Sequence, residues 1–318
     1  MTFNNFLEVV EIKTKIASIF PFLIGTLFSI SFFHAFHLGL TLLFLLAMLI
    51  FDMTVTAINN YQDFQKAKSD TYKHEQNVIG RENISPVLVR NMILFMLVLS
   101  LALGVILTYL TGFMLLLVGA ICMFIGIFYT YGPIPLSRMP LGEIFSGFTM
   151  GFGIFAMIVY VNTSASRAFY LDINFSADNF TLAGSLTGVL SMFFASLPLV
   201  FTIANIMLAN NLRDLDTDID NHRYTLVYYI GRKTGLTFFQ VLMYSSYLVL
   251  VLGVIFRIFD WPVLFALISF VPVKKNLQAH KAEMPAPHSF VYSLKNMVLF
   301  NSSYVIGLLL SIVWQRFV

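Results

Sequence analysis

Charge is what this 318-residue chain has least of. Only 11% of its residues are Asp, Glu, Lys or Arg, while 58% are apolar and the mean hydropathy is +0.82. Soluble domains carry about 25% charged and about 45–50% apolar residues, so a soluble fold is excluded and a polytopic membrane protein is implied. There is one cysteine, Cys122, inside an apolar stretch, so no intrachain disulfide can form. The six histidines show no zinc-ligand spacing, and Walker, dinucleotide-binding, haem-attachment and serine-nucleophile motifs are all missing. Basic clusters that would mark a nucleic-acid partner are lacking too, as are linkers and low-complexity tracts. The first apolar run, from Ile16, is too long for a signal-peptide core and has no small-residue cleavage site, so it reads as an uncleaved first span.

Apolar runs are abundant. A spanning helix needs about 20 mostly apolar residues. Nine stretches meet that need: 16–36, 39–58, 90–110, 112–131, 141–161, 183–208, 236–257, 261–278 and 293–314. Pro262 and Pro272 shorten the clean helix of the eighth. The expected fold is all-α, one membrane domain over residues 1–318. With the N-terminus in the cytoplasm, 16 of the 19 Lys and Arg residues fall on the cytoplasmic side, and only Arg167, Arg257 and Arg316 on the other. That bias supports both the orientation and the count of spans.

The scarce acids are concentrated. The pentad Asn-Asn-x-x-Asp occurs at Asn59–Asp63 and again at Asn210–Asp214, after the second and sixth stretches, which hints at a four-helix internal repeat. Asp63, Asp70, Asp214, Asp216, Asp218 and Asp220 make up six of the chain's 16 acidic residues. On a helix turning about 100° per residue, Asp52, Asn59, Asp63, Lys66 and Asp70 share a stripe about 60° wide. Asn210, Asp214 and Asp218 share a second face by their i, i+4, i+8 spacing, while Asp216 and Asp220 point away as surface residues. Carboxylates and carboxamides are hard oxygen donors suited to Mg²⁺, which binds through one or two carboxylates plus phosphate oxygens. Two such sites facing each other at a membrane surface would clamp the diphosphate of a lipid. Lys66, Arg81, Arg213 and Arg223 are candidate counter-charges. Either motif read alone is also compatible with a solvated helix end.

Ionisable groups inside a span are expensive and point to function. Asp52 either reaches an acceptor pocket below the metals or pairs within the bundle. Glu143 either serves the site or is an acid at a helix start. Tyr129 and Tyr131 are either interfacial belt residues or aromatic faces that stabilise a carbocation.

Four stretches resemble the UbiA-type intramembrane prenyltransferases: Lys13-Thr14 with Pro21 and Ile24-Gly25-Thr26; Asn59 through Phe64; Tyr131-Gly132-Pro133 through Pro140-Leu141-Gly142-Glu143; and Asn210 through Asp214 with Asp218, Thr225-Leu226 and Gly231-Arg232. The similarity is greatest to the branch that prenylates dihydroxynaphthoate in menaquinone synthesis. It implies a UbiA-like bundle of nine helices in the plasma membrane. A polyprenyl diphosphate would lie with its tail among the helices, open to membrane lipid, and an aromatic acceptor would attack to give a demethylmenaquinone. Mg²⁺ on Asn59, Asp63, Asp70, Asn210, Asp214 and Asp218 would hold the head group, with Tyr129 among the catalytic residues. Lys13, Asp52, Lys66, Arg81, Tyr131, Glu143, Arg213 and Arg223 would contact substrate. The chain departs from the family at Asn60, where Asp is frequent, at Ala67, an expected acid with Asp70 coming later, and at Glu11, where Arg is common. Other aromatic acceptors and, from a different class, an ion-coupled transporter are the competing readings.

Overall fold

The structure, a computed structural model, describes residues 1–67, 72–130, 138–220 and 222–317. A short α1 (Phe3–Val9) and a 3₁₀ turn (Ile12–Lys15) lead into α2 (Ile16–Phe33) and α3 (Leu38–Lys66). A π turn (Tyr72–Gln76) and α4 (Val78–Arg81) then precede α5 (Pro86–Thr111) and α6 (Phe113–Thr130). The next span is composite: α7 (Gly142–Ser146), a π segment (Gly147–Gly153) and α8 (Ile154–Thr163). A hairpin of β1 (Phe169–Asn174) and β2 (Asn179–Gly184) leads to α9 (Leu186–Asp220) and α10 (Leu226–Ile255). A 3₁₀ helix (Trp261–Ser269), α11 (Phe270–Glu283) and α12 (Val291–Trp314) complete the chain.

Among the described residues, seven helices are long and apolar enough to cross a membrane, and they match seven of the nine expected stretches. The other two are different in kind. The fourth stretch has a described apolar helix, Phe113–Phe128, that is shorter than a span. The eighth is divided into the 3₁₀ helix and α11, with Pro262 and Pro272 each in the first turn of its element. A ring that lacks an N–H costs no helix hydrogen bond in a first turn, so these prolines sit at two helix starts where one helix was expected.

The bundle is helical as expected, and the one sheet among the described residues is a β-hairpin. Its strands pair antiparallel from Phe169↔Gly184 to Asn174↔Asn179. Asn174 Oδ1 accepts from the backbone N–H groups of Ser176 and Ala177 at 3.1 and 3.0 Å, which closes the turn.

Packing sets where the acidic helix ends lie. α9 runs against α10 on one side and against the π segment on the other, α2 packs on α8, and α3 packs on α5. Asn162 of α8 accepts from the His37 N–H at 2.8 Å and the Thr41 hydroxyl at 3.0 Å, pinning the turn between α2 and α3. A second, smaller apolar core under α4 joins Val9, Ile79 and Ile84 to α3 and α5, with Tyr61 and Phe64 packed against it. Apolar side chains such as Leu94, Phe95 and Val98 on α5 are exposed, as a hydrocarbon surround permits.

The π segment approaches α9 at backbone distance. A Cβ on Gly151 would sit 2.7 Å from Val200 N, and one on Gly147 would sit 2.8 Å from Val200 O. Overpacking of this kind costs about 1–3 kcal/mol. Gly151→Val is therefore expected to lower the unfolding temperature of the detergent-purified protein. An unchanged transition would show that α9 does not depend on this contact.

Candidate active site

α3 continues without a break for 29 residues, so Asp52, Asn59, Asp63 and Lys66 do lie on one helix, as the stripe requires. Asp70 and Tyr131 lie outside the described residues, and so does the side chain of Tyr129. α9 carries on for 35 residues to Asp220, which puts Asn210, Asp214 and Asp218 on one helical face. Asp214 is gripped by Arg213, whose Nε and Nη2 donate to its two oxygens at 2.6 Å each. Asp218 is buried at 4% exposure with Oδ1 3.3 Å from Arg223 Nη1, and its Oδ2 is buried with no hydrogen-bond partner. Asp216 and Asp220 are exposed, and Arg232 holds Asp216 at 3.0 Å, in keeping with a surface role for both. Gly231, at φ 75°, provides the backbone bend beside Arg232 that a side-chained residue would resist.

Arg223 connects the two pentads. It pairs with Asp218, and its positive charge also acts on Asp63, as do those of Arg138 and Lys66. The acidic end of α3 thus lies in the field of the loop that follows α9. Arg81 is exposed and is engaged by Glu8 and, at 3.3 Å, by Glu82, so it also ties α4 to α1.

Below the pentads lies a cavity of about 480 Å³. Phe44, Met48, Phe51, Met123, Met150 and Met157 form much of its wall, and Asn59, Thr56, Asp52 and Lys15 make a polar part. Lys13 is exposed. The buried cation is instead Lys15, at 4% exposure, whose Nζ donates to Asp52 Oδ1 at 2.8 Å and Thr56 Oγ1 at 2.5 Å. Ser18 Oγ donates to the other Asp52 oxygen at 2.6 Å. Sequence reasoning counted Lys15 only as a topology charge. The signal that could have found it was a lone acid and a lone base entering neighbouring apolar stretches. Glu143 is also buried, and accepts from Asn211 Nδ2 at 2.8 Å.

No group of three or more His, Cys, Asp or Glu gathers as a ready metal cage among the described residues. The donors that are present still suit Mg²⁺. They are oxygen atoms only, few per helix, with Asp218 Oδ2 unpartnered, and a substrate diphosphate would complete the coordination.

A model of the UbiA prenyltransferase family matches residues 18–294. The chain belongs to that family. This UbiA family member is 28% identical over 307 residues to 1,4-dihydroxy-2-naphthoate octaprenyltransferase of Bacillus subtilis (strain 168), covering 94% of this chain and 88% of that one. Its fold is shared with a UbiA homologue from Aeropyrum pernix K1, at TM-score 0.65 and 15% identity over 91% of this chain and 97% of the other. A UbiA homologue from Archaeoglobus fulgidus, solved bound to GPP and Mg²⁺, gives TM-score 0.63 at 12% identity over 96% and 99%. The apolar helices and the family together make this a multi-pass membrane protein.

The buried ion pair can be tested directly. Removing one partner of such a pair costs about 3–5 kcal/mol, because the other charge is left without compensation. Lys15→Met should therefore lower thermal stability strongly, and the double variant Lys15→Met/Asp52→Leu should recover most of the loss. A double variant as unstable as the single would show that Lys15 acts by packing and not by charge.

Proposed function

We propose that this UbiA family member transfers a polyprenyl group from a polyprenyl diphosphate to 1,4-dihydroxy-2-naphthoate, releasing diphosphate and carbon dioxide. The observation that carries the reading is the cavity: a largely apolar pocket of about 480 Å³ whose wall includes Asn59 of the first pentad, one turn from Asp63. A prenyl tail fits the Phe and Met wall, and its charged head belongs where the acidic and basic side chains gather. The named activity of the B. subtilis relative supports the acceptor.

Asn59, Asp63, Asn210, Asp214 and Asp218 would hold Mg²⁺, with Asp70 as a further candidate. Mg²⁺, when bound, supplies the positive charge that neutralises a leaving diphosphate. Arg213, Arg223 and Lys66 add fixed positive charge beside it. Breaking the allylic C–O bond sends its electron pair off with diphosphate and leaves an allylic cation. The apolar wall keeps water from quenching that cation. The acceptor's electron-rich ring carbon forms the new C–C bond, and loss of its carboxylate as carbon dioxide returns an electron pair to the ring. The product is a demethylmenaquinone in its quinol form. Asp52, with Lys15 bonded to it from the 3₁₀ turn, lies about two turns deeper along α3 than Asn59, where an acceptor would meet the prenyl carbon.

The same reading makes residues 1–318 one integral-membrane domain of nine spans in the plasma membrane. The N-terminus and both acidic helix ends face the cytoplasm, in line with the distribution of Lys and Arg.

Purified protein incubated with Mg²⁺, a polyprenyl diphosphate and dihydroxynaphthoate should yield, by mass spectrometry, a prenylated product lacking the carboxylate. EDTA should abolish it, and Asp214→Asn should reduce turnover at least about 100-fold in folded protein. Turnover that survives EDTA, or a product that keeps its carboxylate, would overturn the mechanism. Prenylation of a different ring from an acceptor panel would move the assignment to that acceptor.

A further inference from the structure

Each pentad opens with two asparagines, and the two do different things. Asn59 lines the cavity, and so does Met207, three residues before Asn210 on the same face of α9. The second asparagines are turned to other partners. Asn211, 3% exposed, donates from Nδ2 to Glu143 Oε1 at 2.8 Å. Asn60 donates from Nδ2 to Glu11 Oε1 at 3.2 Å and to the Val9 carbonyl at 2.9 Å.

These contacts occupy equivalent places. Glu11 stands just before the span that starts the first half of the chain, and Glu143 stands at the start of the composite span α7–α8. Each glutamate meets the second asparagine near the end of the next long helix, α3 or α9. The separations are 49 and 68 residues, and the hairpin of residues 169–184 falls within the longer one.

We infer that Glu143 and Glu11 are positioning residues, each setting the rotation of one acidic helix end through the second asparagine of its pentad. Neighbouring residues on a helix are fixed about 100° apart. Holding Asn211 therefore orients Asn210 and Asp214, and holding Asn60 orients Asn59 and Asp63. The Glu143 contact is the stronger one, because both partners are buried and water cannot replace either. Glu143 Oε2 is itself buried without a hydrogen-bond partner. A carboxylate kept under those conditions is costly, and orienting the Mg²⁺-binding end of α9 is the role the contact gives it. The inference rests on the function proposed above.

The test uses the full chain in detergent and two readouts: the Mg²⁺ concentration for half-maximal thermal stabilisation by geranylgeranyl diphosphate, and the acceptor KM. Glu143→Ala should raise the Mg²⁺ requirement about tenfold or more, as loss of groups that orient metal ligands does, with the acceptor KM little changed. Glu143→Gln keeps an oxygen that accepts from Asn211 and should stay near wild type. Adding Asn211→Leu to Glu143→Ala should bring no further loss. The clasp is overturned if Glu143→Gln is as impaired as Glu143→Ala, since the charge would then be what matters. It is also overturned if the two substitutions multiply, or if Glu143→Ala matches wild type. Should Glu143→Ala fail to fold, Glu143→Gln against Asn211→Asp decides, because only the second sets two carboxylates against each other. Wild-type protein that shows no stabilisation by Mg²⁺ with donor would sink the proposed function instead, so the two failures are distinguishable.

Discussion

Hydrocarbon offers no hydrogen bonds, so a polar group inside this bundle is costly unless another answers it. That constraint explains why charge is so scarce and why its placement is informative. Lys15 and Asp52 are held within the bundle because each neutralises the other and Ser18 and Thr56 complete their hydrogen bonding. The same rule turns the few carboxylates at the helix ends into a signal, since solvation alone does not account for a buried Asp218.

Helix length converts the constraint into a site. At about 1.5 Å per residue, the 35 residues of α9 span about 52 Å against a hydrocarbon core of about 30 Å. The surplus carries the second pentad and its aspartates out to the membrane boundary on a rigid element. α3 does the same for the first pentad over 29 residues. Rigid supports matter to the proposed site because a diphosphate shared between two helix ends would tolerate little error in their rotation or height. The glycines of the π segment let α9 approach at backbone distance, and the Asn211–Glu143 contact is the one we infer sets its rotation.

Much of the bundle was legible because about 20 apolar residues in a row leave few alternatives, and seven stretches became long helices, although α3 and α9 run past the expected ends at 58 and 208 to Lys66 and Asp220, and α10 starts at Leu226 instead of 236. The second apolar stretch ends at 58, while the stripe that groups Asp52 with Asp63 and Lys66 required the helix to go on, and α3 does run on to Lys66. Tyr61 and Phe64 pack against the small core under α4, which a count of apolar residues cannot anticipate. Pro262 and Pro272 were noticed, but not that each would start its own element. The hairpin was invisible because its strands are only six residues long. Within the site, periodicity grouped Asn210, Asp214 and Asp218 and set Asp216 and Asp220 aside. It could not choose between Lys13 and Lys15, because burial of a lysine depends on a partner 37 residues away. It also left Glu143 open, since the contact that assigns it a place spans 68 residues and a hairpin.

The central claim is that both pentads hold one diphosphate. Its most direct test is Mg²⁺-dependent binding of an unreactive polyprenyl thiodiphosphate to wild type, Asp63→Asn and Asp214→Asn, by calorimetry in detergent. The account predicts that either substitution alone removes most of the Mg²⁺-dependent affinity, because each motif supplies half of a single site. Near-wild-type affinity in either variant would contradict it, since the ligand would then be bound by one motif without the other.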